Sequence, residues 1–303
     1  MKVLVTGGSG VIGTGLLPEL LRRGHTIRLL TRGADNAVEE WPRGVEAQPG
    51  DVADPESIRG AVNGCDAVVH ITGIVDEEPP DATFERINVG GTANVLAEAA
   101  RAGSPRFIYI SSLGADRGTS GYHRSKREAE KLVTAYSGPW TILRPGNVYG
   151  PGDEVLSKLL EMARALPVMP LVGDGDQPFQ PLWFEDFGRA LADAVERKDL
   201  AGRTLELAGN ETTTMKELVE MLGRVLHRDI TTLPTPELAA SIAAGATESL
   251  GIDFPLTESK LTMLLEGNAI APSSENALVT VFEIDPLPLE EGMNRLATLT
   301  PEE

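Results

Sequence analysis

Three side chains in one central stretch of the sequence are of types that could move a proton together. The stretch "SSLGADRGTSGYHRSKREAEKL", residues 111–132, contains Ser112, Tyr122 and Lys126. On a helix, residues four apart share one face, so Lys126 would lie beside Tyr122. A free tyrosine has a pKa near ~10, and a neighbouring ammonium favours its phenolate. Tyr122 is therefore a candidate general acid or base, although such pairs are also common on ordinary polar helices.

The elements around this stretch decide between the two interpretations. Strand and helix patterns alternate from residue 2 to residue 150, which predicts βαβ units and a parallel sheet. Ser112 ends the predicted strand "RFIYISS". In open α/β sheets, ligands bind at the carboxyl ends of the strands. The sequence thus predicts that Ser112 lies at a ligand site, with the helix that bears Tyr122 beside it.

A glycine turn lies between the first predicted strand and helix. In "TGGSGVIG" the spacing of Gly7, Gly10 and Gly13 fits a phosphate-binding turn, and Gly8 with the last two satisfies the related G-x-G-x-x-G pattern. Glycines allow the backbone to approach a pyrophosphate closely, and the helix start offers unpaired N–H groups. The turn predicts a Rossmann dinucleotide-binding domain.

The end of the second strand, "LLTRGAD", bears on which dinucleotide binds. An NAD site commonly has an acid here, which bonds the ribose hydroxyls. Thr31 takes that place, and Arg32 follows with a guanidinium that suits a 2′-phosphate. Asp35 could still reach a ribose, and Asp51 is placed to cap the adenine. We therefore predict NADP(H) in preference to NAD(H).

Composition limits the partners and the compartment. The chain has 303 residues and a formal net charge of -18, which disfavours nucleic acid and anionic membranes as partners. Cys65 is the sole cysteine, so no intrachain disulfide can form. The sequence contains no apolar run long enough to insert into a membrane and leaves no room for a signal peptide before the first strand. We expect a cytoplasmic protein.

Two parts of the chain differ in regularity. Residues 1–150 are predicted to form the dinucleotide-binding domain, and a helix within 182–199 is predicted to return to it. Residues 151–181 and 200–303 are predicted to form a smaller mixed substrate lobe, with helices near 214–227, 236–250 and 257–266. A further helix is expected over "DPESIRGAVNG", with Asp54 at its start and Gly64 at its end.

The motifs in their order resemble those of the extended and atypical short-chain dehydrogenases/reductases. The matching segments are "TGGSGVIG", "GDV", "NVGGTANVL", "YISS", "YHRSK" and "RPGNVYGPGD". The resemblance implies that Tyr122 is the acid/base, that Ser112 orients the substrate, and that Lys126 holds the nicotinamide ribose and lowers the tyrosine pKa. It also implies that Asn88 belongs to a proton relay. Pro145 and Gly146 would lie in the segment that runs past the carboxamide of the nicotinamide.

The resemblance extends to the rest of the site. It leaves Ser111 and His70 as structural residues and implies no metal. Family members often dimerise through the helices that bear Asn88 and Tyr122, so a homodimer stays open. The complete predicted cofactor-binding set is Gly7, Gly10, Val11, Ile12, Gly13, Arg32, Asp51, Val52, Thr72, Gly73, Tyr122, Lys126, Pro145 and Gly146.

Two departures separate the chain from the nucleotide-sugar epimerases and dehydratases of this family. The segment between Ser112 and Tyr122 is short. Phe179 in "GDGDQPFQPLWFEDF" stands where those enzymes usually place an arginine against the nucleotide. Phe179, Trp183 and Phe184 indicate an apolar pocket instead, although packing within a core would explain aromatic residues there equally well. Asn147 and Tyr149 keep the sugar-nucleotide pattern.

The sequence more closely resembles the atypical branch that includes the dehydrogenase-like accessory subunit of respiratory complex I and bacterial relatives. Many of its members bind NADPH without clear turnover, and some have lost the tyrosine. We therefore predict an NAD(P)(H)-dependent oxidoreductase acting on a carbonyl or alcohol of a small molecule. The alternatives are a nucleotide-sugar epimerase or dehydratase, and a non-catalytic NADPH-binding sensor or assembly protein.

Overall fold

A seven-stranded parallel sheet forms the centre of the protein. The structure is a computed structural model, which describes residues 1–34, 43–235, 262–263 and 265–300. The strand order is β11-β6-β5-β4-β1-β2-β3. The strands are β1 (Lys2–Thr6), β2 (Thr26–Thr31), β3 (Val45–Pro49), β4 (Ala67–His70), β5 (Arg106–Ile110), β6 (Trp140–Pro145) and β11 (Arg203–Leu207).

Apolar residues on both faces explain why these strands lie inside the protein. Every residue of β4 is buried, and Val5 of β1 pairs with Leu29 on one side and Val69 on the other. Buried parallel strands are expected to be apolar nearly throughout. The chain order reverses between β1 and β4, and ligands bind at such a point in doubly wound sheets. The predicted Rossmann fold is confirmed.

Helices cover both faces of the sheet. The described residues contain α1 (Val11–Arg22), α2 (Thr92–Arg101), α3 (Gly121–Thr134), α4 (Leu156–Ala165), α5 (Phe184–Glu196), α6 (Met215–Val225), α7 (Ala277–Thr280) and α8 (Leu289–Leu299), of which α4, α6 and α8 belong to a second core. Helix α5 packs closely on α1, because a Cβ added to Gly188 would lie 2.4 Å from the Gly15 carbonyl oxygen. A π-helical segment, Glu85–Gly91, precedes α2, and a 3₁₀ turn, Lys198–Leu200, follows α5.

The predicted helix over residues 54–64 is wrong. This segment is a series of tight turns in which an amide bonds the carbonyl three residues earlier, as from Ser57 to Asp54 and from Ala61 to Ile58. Gly60 has a φ of +81°, which interrupts a right-handed helix. Ile58 and Ala61 are still buried. The apolar spacing therefore marks the residues that pack inside, but turns rather than a helix bury them.

A second core lies beyond β6. It is built by α4, α6 and α8 around the buried Leu160, Leu222 and Met293. Short strand pairs complete it: β7 (Val148–Tyr149) with β10 (Leu182–Trp183), β8 (Val168–Val172) with β13 (Thr231–Thr235), and β9 (Pro178–Phe179) with β12 (Thr213–Thr214).

The predicted C-terminal elements are described only in part. Helix α6 confirms the helix predicted at 214–227, whereas the predicted helix 236–250 lies outside the described residues. Of the predicted helix 257–266, residues 262–263 and 265–266 are described, and these are helical. Strand β11 lies in the range assigned to the lobe but joins the central sheet. None of the helices that the structure describes has the length and apolar character needed to cross a bilayer.

Candidate active site

The glycine turn between β1 and α1 forms one side of a deep cleft. Gly7 has a φ of +71°, and a Cβ added there would lie 2.7 Å from the Thr72 amide nitrogen. A Cβ on Gly13 would lie 2.0 Å from the Gly8 carbonyl oxygen. Only glycine fits both positions, so the turn brings β1, the segment after β4 and α1 together.

The start of α1 faces this cleft and has no side-chain cap. Its N-cap is Gly10, and the first N–H groups of a helix have no partner within the helix. Val11 and Ile12 line the cleft beside Gly10. Because these amides and the positive end of the helix dipole suit a phosphate, the turn fits the pyrophosphate of a dinucleotide.

The predicted proton-transfer residues meet in the same cleft, which has a volume of about 610 Å³. Tyr122 and Lys126 lie on α3, and Ser112 lies just after β5; all three line the cleft. The Lys126 ammonium donates a 2.9 Å hydrogen bond to the Ile110 carbonyl and lies 5.9 Å from the Tyr122 ring centre. Ser120 caps α3 by accepting from the His123 amide, so the helix begins directly before Tyr122.

Burial dominates the electrostatics of this trio. It raises the pKa of Tyr122 to about 12, although a hydrogen bond with Ser112 acts in the opposite direction. Burial also lowers the pKa of Lys126 to about 8, and the charge of Glu130 opposes that change. The expected depression of the Tyr122 pKa by Lys126 is not found: burial has the largest effect, and the phenol keeps its proton at neutral pH.

Asn88 supports the site from behind and does not line the cleft. It lies in the π-helical segment, and its side-chain amide pairs with both backbone groups of Ile74, at 2.8 and 3.0 Å. The same amide donates to the Ser125 hydroxyl at 2.9 Å. A Cβ on Gly73 would lie 3.0 Å from Lys126 Nζ and 3.2 Å from Asn88 Oδ1, so Gly73 allows these two side chains to approach the cleft floor.

Several other predicted cofactor residues also line the cleft. Thr72 and Gly73 follow β4, Pro145 ends β6, and Gly146 comes directly after it. The Pro145 carbonyl accepts from Leu113 and the Gly146 amide donates to Leu207, which fixes this segment in the sheet.

Four predicted cofactor residues do not line the cleft. Gly13 lies in the first turn of α1, packed against the Gly8 carbonyl. Arg32 is exposed just beyond β2, and Asp51 follows β3, the neighbouring strand. The Asp51 carboxylate accepts from the Ala53 amide at 2.9 Å, so it closes its own turn. Val52 is buried and would lie 2.8 Å from a Cβ on Gly91. Asp35 lies outside the described residues.

Of the residues predicted to be structural, His70 and Cys65 lie in the core, whereas Ser111 lies at the cleft. His70 is fully buried between the Thr6 and Thr92 hydroxyls, at 2.7 and 3.0 Å. Cys65 is buried as well. Ser111 instead lines the cleft, and its hydroxyl is buried with no hydrogen-bond partner among the described residues.

The far side of the cleft is mainly apolar. Phe179 lines it, as predicted, but Trp183 and Phe184 do not; they pack edge to face in the second core, with ring centres 4.7 Å apart. Sequence reasoning missed most of the wall. The apolar lining is formed by Val155, Leu159, Met162, Pro170, Leu171, Val172, Pro178, Phe179, Met215 and Met263.

A sequence signal for part of this wall was present. Asp153 precedes an apolar periodicity at Leu156, Leu159 and Leu160, which is the pattern of a capped helix. In the structure its carboxylate accepts from the amides of Val155 and Leu156, at 2.8 and 2.7 Å, and α4 follows.

Comparison with known proteins identifies the family. The model of the NAD dependent epimerase/dehydratase family matches residues 3–208. The chain therefore belongs to this family of oxidoreductase-type enzymes. The assignment to the branch of the complex I accessory subunit stays a prediction.

Relatives and solved structures differ in how much they share. The chain is 29% identical to 2-alkyl-3-oxoalkanoate reductase of Stenotrophomonas maltophilia over 98% of both chains. It is 35% identical to ceramide reductase of Caulobacter vibrioides, but the match covers 56% of this chain and spans about half, 53%, of that protein. The NAD complex of UDP-glucose 4-epimerase from Thermus thermophilus has a TM-score of 0.77 at 23% identity, over 98% of this chain and 97% of that chain, which shows a shared fold.

Proposed function

We propose that this protein is an NAD(P)(H)-dependent oxidoreductase that reduces a carbonyl on an apolar small molecule, or oxidises the corresponding alcohol. One observation carries the proposal. The buried phenol of Tyr122 lies with Ser112 and Lys126 in a cleft that has an uncapped helix start on one side and an apolar wall on the other. A nicotinamide cofactor, when bound, supplies or accepts the hydride.

The protein side chains handle the oxygen and its proton. In reduction, the substrate carbon gains a hydride and its oxygen gains a proton from the Tyr122 hydroxyl. The raised pKa of Tyr122 means that this proton is present at neutral pH. Ser112 donates a hydrogen bond that orients the same oxygen, and the Lys126 ammonium stabilises the phenolate left behind. Asn88 holds the Ile74 segment beside them.

The apolar wall and the relatives support an alkyl substrate. Leu159, Met162 and Met215 are flexible or branched side chains that can pack against a hydrocarbon chain. The names of the two related reductases, 2-alkyl-3-oxoalkanoate reductase and ceramide reductase, both describe substrates with alkyl character. We therefore propose a ketone with an alkyl arm as the substrate class.

The cofactor proposal rests on Arg32. Its guanidinium is exposed beside the sheet edge where β2 and β3 end. A 2′-phosphate at this edge would have a cationic partner, so we propose a preference for NADP(H) over NAD(H).

The two alternative functions have less support. Phe179 lies in the apolar wall, at the position where nucleotide-sugar enzymes usually have an arginine, which disfavours a diphosphate substrate. A non-catalytic cofactor sensor would not need Tyr122 and Ser112 in the cleft.

Turnover with a matched panel of ketones tests the proposal. Oxidation of NADPH is followed with 3-oxo compounds of increasing alkyl length and with one hydrophilic ketone of the same carbonyl type. The proposal predicts that kcat/KM rises with chain length; absence of NADPH oxidation across the panel would contradict it.

A further inference from the structure

The carboxylate of Glu266 binds the start of α3, the helix that bears Tyr122, from a distant part of the chain. One oxygen accepts from the Thr119 amide, from the Thr119 hydroxyl at 2.7 Å and from the Ser120 amide at 3.1 Å. The other oxygen lies 2.6 Å from His123 Nδ1. Because a carboxylate can only accept, that nitrogen carries the proton. Glu266 thus occupies the positive end of the α3 dipole, directly before Tyr122.

The residues on both sides of Glu266 form part of the cleft. Met263, Gly267 and Asn268 all line it, and they are here called the C-terminal wall. The wall is also fixed at its far end: Asn268 exchanges backbone hydrogen bonds with Pro178 and Gln180, both at 2.8 Å. Its side chain accepts from the Asn147 amide at 2.7 Å.

These contacts join two parts of the site that are far apart in sequence. His123 is the neighbour of Tyr122, and the centres of their rings lie 5.4 Å apart. Glu266 is 143 positions further along the chain than His123. Burial alone would raise the pKa of Glu266, but the hydrogen bonds from Thr119 and His123 lower it to about 2. The carboxylate is therefore ionised across the whole working range of pH.

We propose that Glu266 is a positioning residue, which holds the C-terminal wall against the start of α3 and so sets the affinity for the substrate. It touches neither the cofactor turn nor the reacting oxygen. This inference rests on the proposed function, because it assigns the C-terminal wall to the substrate half of the cleft. With the carboxylate bound to α3 at one end and Asn268 bound to its neighbours at the other, the wall completes this side of the cleft.

The test compares Glu266→Ala and Glu266→Gln with Glu291→Gln. Glu291 is a matched control, since its half-exposed carboxylate pairs with Arg295 on α8, away from the cleft. Hydrogen–deuterium exchange reads the peptides that cover 117–124 and 265–270. Kinetics with NADPH and the best ketone give kcat and KM, and fluorescence titration gives the Kd for NADPH. Circular dichroism checks that each variant is folded.

Loss of hydrogen bonds to a charged group predicts at least about tenfold faster exchange in both peptides of Glu266→Ala. The same variant should raise KM about tenfold, with kcat and the Kd for NADPH changed less than about twofold. For Glu266→Gln, the exchange rates and KM should lie between those of the wild type and those of Glu266→Ala. Glu291→Gln should match the wild type. The proposal is overturned if exchange at 117–124 is unchanged, if KM is unchanged, or if kcat and NADPH affinity fall as much as KM rises. If the wild type oxidises no NADPH, the proposed function fails, whereas the exchange data still decide whether Glu266 holds the wall.

Discussion

Lys126 and Tyr122 lie one turn apart on α3, with the ammonium 5.9 Å from the centre of the phenol ring and bonded to the Ile110 carbonyl. Both groups are buried, and burial shifts their pKa values in opposite directions, towards the neutral form of each. Under the proposed function, the phenol gives its proton to the substrate oxygen, and the ammonium stabilises the charge that remains.

The dependence of the reduction rate on pH should follow the deprotonation of Lys126. Burial lowers the Lys126 pKa to about 8, so the ammonium is present below this pH and lost above it. We expect kcat for reduction to fall about tenfold between pH 8 and pH 10 as this stabilisation disappears. Lys131→Met, which removes an exposed lysine on the same helix, should keep the wild-type profile. A profile that is flat to pH 10 would contradict the role of Lys126.

Arg32 should separate the two cofactors. Arg32→Ala is expected to weaken NADPH binding by about tenfold or more, because a charged hydrogen-bonding partner of the 2′-phosphate is lost. NADH binding should not change. Arg59→Ala removes another exposed arginine and serves as the control in the same fluorescence titrations. Equal weakening of both cofactors, or of neither, would refute the NADP(H) preference.

Stability in mild acid should depend on His70. Burial, with a smaller contribution from the charge of Lys126, lowers its pKa from 6.5 to about 3. Below pH 6.5 the unfolded chain binds a proton that the folded protein excludes, so stability is lost as pH falls towards 3. Between pH 6.5 and 5 this amounts to roughly 2 kcal/mol.

Urea unfolding at pH 7 and pH 5 measures this loss. His70→Gln should be less stable at pH 7, since the contacts to Thr6 and Thr92 change, but its midpoint should fall less on acidification than that of the wild type. The exposed His227→Asn is the control. An identical pH response of His70→Gln and wild type would show that His70 is not the group responsible.

Nucleotide diphosphates should leave the protein's melting temperature unchanged. Phe179 takes part in the apolar wall, and the cleft there has no arginine among the described residues. We expect NADPH to raise the melting temperature by mass action, whereas uridine and thymidine diphosphates at the same concentration do not. Stabilisation by either diphosphate would favour the epimerase or dehydratase alternative.

The N-terminal half of the fold could be predicted because its signals are local. Apolar strands, the glycine turn and the Tyr122–Lys126 spacing each act over a few residues, and each element was found in place. Residues 54–64 show the limit, since buried apolar spacing there is satisfied by turns. The effect of burial on the Tyr122 pKa was also beyond the sequence, because desolvation depends on neighbours from other elements.

The substrate half of the cleft could not be predicted for a related reason. Its wall comes from α4, β8, β9 and the segment near residue 266, and no periodicity links these pieces. The contact between His123 and Glu266 joins residues 143 positions apart, and nothing in the local pattern of either indicates it. The capped pattern that starts at Asp153 and Phe179 in place of an arginine were the usable signals.

Turnover by Tyr122→Phe tests the central claim most directly. The substitution removes one hydroxyl and keeps the ring, so the fold and NADPH binding should be retained. We predict that NADPH oxidation with the best ketone falls about 10²–10⁴-fold, while the Kd for NADPH changes less than about twofold. Tyr136→Phe, which removes a hydroxyl bonded to the Pro105 carbonyl just before β5 and outside the cleft lining, should keep full activity. Turnover by Tyr122→Phe at the wild-type rate would show that this tyrosine does not transfer the proton.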